Sequence, residues 1–123
     1  MIVRGVAALV GLFSLANAFQ MIVEPSGWFT AVSRREAIGA YNHHLVTDVG
    51  LAFLAAGLAF LAFAWRPEWR LIAFGASGFL VFHALFHLAE FARGEGSDAV
   101  TLAIVVLSAA VAAAISFPHA GDA

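Results

Sequence analysis

The segment from His44 to Trp65, HLVTDVGLAFLAAGLAFLAFAW, is apolar beyond Asp48. A helix needs about 20 apolar residues to cross the hydrocarbon core of a bilayer. Three further stretches, at about 5–23, 71–91 and 99–117, have the same character, and almost all charged residues fall between the four. Because backbone polar groups find no water in lipid, we predict an all-α fold. It is a four-transmembrane-helix bundle that forms one integral membrane domain over residues 1–123.

Composition supports a membrane protein. The chain has 123 residues, of which 63% are hydrophobic and 11% charged, whereas soluble domains are about 45–50% apolar and about 25% charged. We therefore expect the lipid bilayer as a partner. A net charge of −2 gives no basic face for nucleic acid. The absence of cysteine excludes disulfides and thiolate metal sites.

The connections between the spans predict how neighbouring helices are arranged. The short turn 66–70 makes the second and third spans antiparallel neighbours. Another short turn, 93–98, ends at Asp98, which we expect to cap the fourth span. The longer connection 24–42 contains Trp28 and Phe29, and then Ser33 with Glu36 as a possible capping box. We predict a short interfacial helix there, lying on the membrane surface.

The N-terminus has two interpretations. Arg4, an apolar run and Ala16-Asn17-Ala18 resemble a signal peptide, but the apolar run continues to Val23, and we predict a retained first helix. Arginines are tied between the two membrane sides, three on each. The position of Arg4 just before the first span favours cytoplasmic termini.

The polar residues inside the spans carry the functional signal. His83, His87 and Glu90 share one face of the third span, and His44 and Asp48 share one face of the second. His43 points about 100° away from His44. Because the two helices are antiparallel, these five ionisable side chains are expected at matching depth. We predict Asn17, Gln20 and Asn42 as residues that orient them.

Three chemistries are compatible with this cluster. The first is a transition-metal site (zinc, iron, copper or manganese), with His44, Asp48, His83, His87 and Glu90 as predicted ligands. The second is a b-type haem held by His44 with His83 or His87, for electron transfer. The third is a proton relay or structural polar contact without metal. Whether the protein is an enzyme stays open. We favour metal binding, in a redox or accessory subunit of a larger membrane complex.

The sequence around the second span resembles a known pattern. Trp28-Phe29, the run Tyr41-Asn42-His43-His44-Leu45-Val46-Thr47-Asp48-Val49-Gly50, and the later His83 and His87 are similar to small uncharacterised bacterial four-helix membrane proteins, loosely grouped as DoxX-like. Their pattern reads N-x-H-[LF]-V-x-D-[VI]-G, with H-x-x-x-H in the third helix. The resemblance implies the four-helix fold, a bacterial inner membrane and His44 rather than His43 as the site residue. It implies no reaction.

The fourth span is rich in alanine. Ala109 and Ala113 lie one turn apart, as do Ala110 and Ala114. Small residues at this spacing let helices approach closely. The pattern is compatible with contacts inside the bundle, with a homo-oligomer, or with another subunit of a larger complex.

Overall fold

The computed structural model describes residues 1–33, 39–96 and 98–118, and these residues form helices and no strand. The helices are α1 (Ile2–Val23), α2 (Pro25–Ser33), α3 (His43–Trp65), α4 (Arg70–Ala92) and α5 (Ala99–Ser116), with a 3-10 turn at Pro67–Trp69. Within the described ranges, four helices are long and apolar enough to cross a membrane: α1, α3, α5, and α4 together with the preceding turn. The predicted four-span fold is confirmed, and α2 forms the short helix predicted between the first two spans.

Side chains mark where the helices begin and end. The backbone N–H of Leu45 donates to Asn42 Oδ1 at 3.1 Å, which fixes the start of α3. Asp98 Oδ1 accepts from the backbone N–H groups of Val100 and Thr101, so the predicted cap of α5 is confirmed. At the other end of the bundle, Arg4 donates to the carbonyl oxygens of the last two residues of α3, at 2.7 and 2.9 Å. These contacts satisfy backbone groups that helix ends otherwise leave unpaired.

The most extensive helix contact joins α1 and α3, which run antiparallel. A Cβ placed on Gly57 would lie 2.8 Å from Leu15 and 3.0 Å from the carbonyl oxygen of Gly11. A Cβ on Gly11 would meet Leu61 at 2.9 Å and the carbonyl oxygen of Gly57 at 3.0 Å. The two backbones therefore approach too closely for any side chain at either position.

The remaining spans complete the bundle. α3 packs on α4, as the short turn between them predicts, and α4 packs on α5, whereas α1 and α5 touch only lightly. The core contains Phe60 and Phe63 with small residues of α4 and α5. Of the alanine pairs in α5, Ala109 is buried and Ala113 half-buried, while Ala110 and Ala114 are exposed. Only the first pair therefore turns toward the bundle.

Contacts with α1 hold the interfacial helix α2. The indole N–H of Trp28 donates to Asn17 Oδ1 at 2.9 Å. Glu24 Oε1 accepts from the Ser26 hydroxyl at 2.8 Å and from the Gly27 backbone N–H at 3.0 Å. These two hydrogen bonds lower the pKa of the Glu24 carboxyl below its ordinary value. The predicted partner of Ser33 in a capping box, Glu36, lies outside the described residues.

Candidate functional site

Three ionisable side chains follow one another along α4, and we call them the α4 row: His83, His87 and Glu90. The imidazole rings of His83 and His87 meet edge to face, with ring centroids 4.6 Å apart. His87 Nδ1 lies 3.6 Å from Glu90 Oε2, and the two side chains are 11% and 20% exposed. The predicted shared face is therefore present, and it brings two imidazoles and one carboxylate into a chain of contacts.

Aromatic rings surround the deep end of the α4 row. His83 stacks on Phe79, one turn earlier on α4, with centroids 5.7 Å apart. It also meets the edge of Phe53 from α3 at 5.5 Å, and Phe53 itself packs against Phe79 at 5.1 Å. Neither Phe53 nor Phe79 was predicted from the sequence as part of the site. For Phe79 the sequence does contain a signal, because a residue four positions before His83 lies beside it on a helix.

A tight turn covers the outer end of the row. Arg93 and Glu95 donate backbone hydrogen bonds to the carbonyl oxygen of Glu90, and the chain then folds back over this residue. Gly96 has φ +77°, and a Cβ on it would lie 3.2 Å from Glu90 Oε2. A glycine suits both demands, because other residues rarely adopt this φ and no side chain fits without displacing the carboxylate. The α4 row thus runs from the middle of α4 to this turn, about 10 Å at 1.5 Å per residue.

The other two predicted ligands lie elsewhere. His44 Nε2 and Asp48 Oδ2 pair with each other at 3.2 Å, and their side chains are 88% and 56% exposed. Phe53 marks the side of α3 that faces His83. At 100° per residue, His44 lies about 180° and Asp48 about 140° around the helix from Phe53. In the parts of the chain that the structure describes, no three His, Asp or Glu side chains are grouped so that they could hold a metal ion.

Packing between α1 and α3 explains this separation. Gly50 of α3 faces α1, where a Cβ would meet the Met21 side chain at 2.8 Å. Asp48 is two residues away and therefore points about 160° from that interface. Helical spacing shows which residues share a face, but the glycine contacts decide how α3 is turned. The structure therefore does not turn the two predicted faces toward each other.

The three residues predicted to orient ligands have other contacts. Asn17 accepts from Trp28 and donates to Met21 Sδ at 3.5 Å. Asn42 caps α3, and Gln20 is exposed. His43 was not predicted as a ligand. It is exposed at the first position of α3, where its Nδ1 lies 3.2 Å from the Tyr41 hydroxyl.

These features define a class: a four-span helical membrane bundle that carries ionisable side chains in the spans α3 and α4. No family model matches the chain, and no curated protein or solved structure shows significant similarity to it. The resemblance to DoxX-like proteins therefore stays a prediction.

Proposed function

We propose that this membrane protein binds a transition-metal ion through His83 and His87, with Glu90 as the carboxylate that orients His87. The observation that carries the proposal is the contact chain of the α4 row. Histidines one turn apart on a helix are suitably placed to share a metal ion. A carboxylate beside the second nitrogen of a ligating histidine fixes the ring and raises its basicity.

The ligand types narrow the metal. Imidazole and carboxylate suit zinc, iron, copper(II) and manganese, and the chain has no cysteine to favour soft ions. The α4 row supplies two imidazole donors, because Glu90 contacts His87, so a bound ion would keep coordination positions for water, a substrate or a residue from a partner. This incomplete donor set fits a redox or accessory subunit of a larger membrane complex.

Element-resolved metal content per chain, after purification in a mild detergent, tests the proposal. We expect about one equivalent of one transition metal in the unaltered protein. The double variant His83→Ala/His87→Ala should lose the metal and still insert, as judged by helical circular dichroism. The matched control is His44→Ala/Asp48→Ala, which removes the exposed pair and should retain it. If the His83→Ala/His87→Ala variant keeps the metal, these histidines are not the ligands. If the metal is iron, an absorption spectrum distinguishes haem from directly bound iron.

A proton relay is the second candidate, favoured by the direction of the α4 row. The row connects the middle of the span with the turn that ends α4, and imidazole and carboxylate side chains can both accept and release protons. Proton flux into vesicles loaded with a pH-sensitive dye tests this function. Glu90→Gln should slow the flux if the row conducts protons, whereas equal rates for the variant and the unaltered protein would exclude the relay.

We also propose a bacterial inner membrane with both termini in the cytoplasm. Arg4, Arg66 and Arg70 lie at the end of the bundle opposite α2, and the guanidinium of Arg66 lies 5.2 and 5.7 Å from the ring centroids of Trp65 and Trp69. Arginine close to the end of the first span favours the cytoplasmic side for that end, and Arg4 lies there. Because the chain has no cysteine, Glu68→Cys and Thr30→Cys each provide a unique label. In intact cells an impermeant maleimide should label only Thr30→Cys, and the reverse pattern would invert the topology.

A further inference from the structure

A cavity of about 310 Å³ lies between α1 and α5, the two spans that touch only lightly. Its walls include Phe13 from α1, Phe53 from α3, Leu80 from α4 and Leu107 from α5. Each of these four residues lies close to the middle of its helix. The cavity therefore lies near the midplane of the membrane.

The rim of the cavity faces lipid. Leu9 and Phe13 on α1 and Leu107 on α5 line the cavity and are exposed on the outside of the bundle. The lining is hydrocarbon apart from the hydroxyls of Ser14 and Ser108, and Ser108 donates within its own helix to the Val105 carbonyl oxygen at 2.9 Å. A ligand in the cavity therefore contacts an apolar surface. The cavity opens toward the middle of the bilayer, where the acyl chains of the lipids end.

The size of the cavity decides which kind of apolar partner fits. An α-helix about 10 Å across would fill 310 Å³ over only about 4 Å of its length, less than one turn. The cavity is therefore too small to enclose a helix from another chain. One water molecule occupies about 30 Å³ in the liquid, and we take a methylene group to need a similar volume. The cavity therefore holds roughly ten methylene groups. That volume suits the end of a single unbranched chain.

We infer that this cavity binds the methyl-terminal half of one fatty acyl chain from the bilayer. The inference goes beyond the proposed function and does not rest on it. Phe53 is a wall of the cavity, and the same ring lies 5.5 Å from His83. A bound chain thus lies one aromatic ring away from the α4 row, so a lipid-soluble molecule can reach its neighbourhood without crossing an aqueous surface.

Photolabelling tests the inference without any metal. The probe is a fatty acid with a diazirine near its methyl end, in phosphatidylcholine vesicles that contain the protein, and labelled residues are identified by peptide mass spectrometry. Buried Leu80 and half-buried Phe53 should be labelled, and unlabelled oleate should compete. Exposed Phe82 reports contact with bulk lipid, and its labelling should not be competed. Labelling of Phe82 without Leu80, or equal competition at both, would overturn the inference.

A pair of variants on α5 adds an independent check. Ser108→Leu places a larger side chain in the cavity, and Ala110→Leu adds the same side chain on the exposed face of the same helix. The leucine side chain should take the space of about two methylene groups of the bound acyl chain. Loss of their burial weakens binding about tenfold, so the labelling that oleate competes should fall by the same factor. The control variant should label like the unaltered protein. Unchanged labelling in Ser108→Leu, with helical content intact, would also contradict the inference.

Discussion

The α4 row and the His44–Asp48 pair of α3 contain the same residue types at helical spacing, but their surroundings differ. The row is mostly buried and ends against the rings of Phe53 and Phe79. The pair is largely exposed and its two members contact each other. A shared helical face alone therefore does not enclose ionisable groups. Packing around the helix decides whether ionisable groups are enclosed together or left at the surface.

The largest loss of stability is expected at the glycines where α1 and α3 approach most closely. In Gly57→Leu the new side chain meets the carbonyl oxygen of Gly11, which cannot move without separating α1 from α3. Overpacking of this kind lowers the free energy of unfolding by about 1–3 kcal/mol or more. Gly75→Leu is the matched control, since a Cβ there has no atom within 4 Å, and it should change stability by less than about 0.5 kcal/mol. Reversible unfolding in mixed micelles, followed by circular dichroism, measures both. Equal losses would show that α1 and α3 do not pack through these glycines.

The turn over Glu90 gives an effect of intermediate size. Gly96→Ala forces a side chain into the left-handed region at φ +77° and against Glu90. Gly94→Ala meets the same conformational demand at φ +75°, with open space around the new Cβ. Each should cost about 1–2 kcal/mol for the conformation, and Gly96→Ala should cost more because of the contact. Denaturation of the two variants under identical conditions gives the difference. If Gly94→Ala is the less stable variant, the turn does not press on Glu90.

A double-mutant cycle compares the two groups of side chains directly. Single and double alanine variants of His87 and Glu90 should reveal a coupling energy of about 0.6–1.7 kcal/mol, the range for polar contacts inside membranes. The same cycle on His44 and Asp48 should give less than about 0.5 kcal/mol, the range for exposed pairs four residues apart on a helix. Free energies of unfolding in micelles provide both values. A stronger coupling in the α3 pair would reverse our interpretation of which group is enclosed.

Sequence patterns predicted the limits of the spans closely. The ends of α3 and α4 lie within one residue of the predicted limits, since long apolar runs define them. α1 begins earlier than predicted, at Ile2, because Arg4 bonds to the end of α3 and does not terminate the helix. The common face of the α4 row followed from spacing alone. The rotation of α3 did not, since it depends on how closely Gly50 and Gly57 let α1 approach.

Glu24 is a third kind of carboxylate, neither enclosed nor paired with an imidazole, and it gives the smallest predicted effect. Its hydrogen bonds from Ser26 and Gly27 join the end of α1 to the start of α2. They lower its pKa below the ordinary value of 4.5. A lowered pKa in the folded state means that the carboxylate contributes stability above the unfolded-state pKa. That contribution is lost as the pH falls through the folded-state pKa. We therefore expect α2 to loosen from α1 only below about pH 4.5, starting from a fully docked state at neutral pH.

Fluorescence of Trp28 reports this loosening, since its indole N–H bonds to Asn17. Trp65→Phe and Trp69→Phe leave Trp28 as the single tryptophan. Acidification should shift its emission as the hydrogen bond to Asn17 is lost. In Glu24→Gln the acid-dependent change should disappear, because the amide has no carboxyl to titrate. A transition that persists in Glu24→Gln at the same pH would assign the effect to a different titrating group.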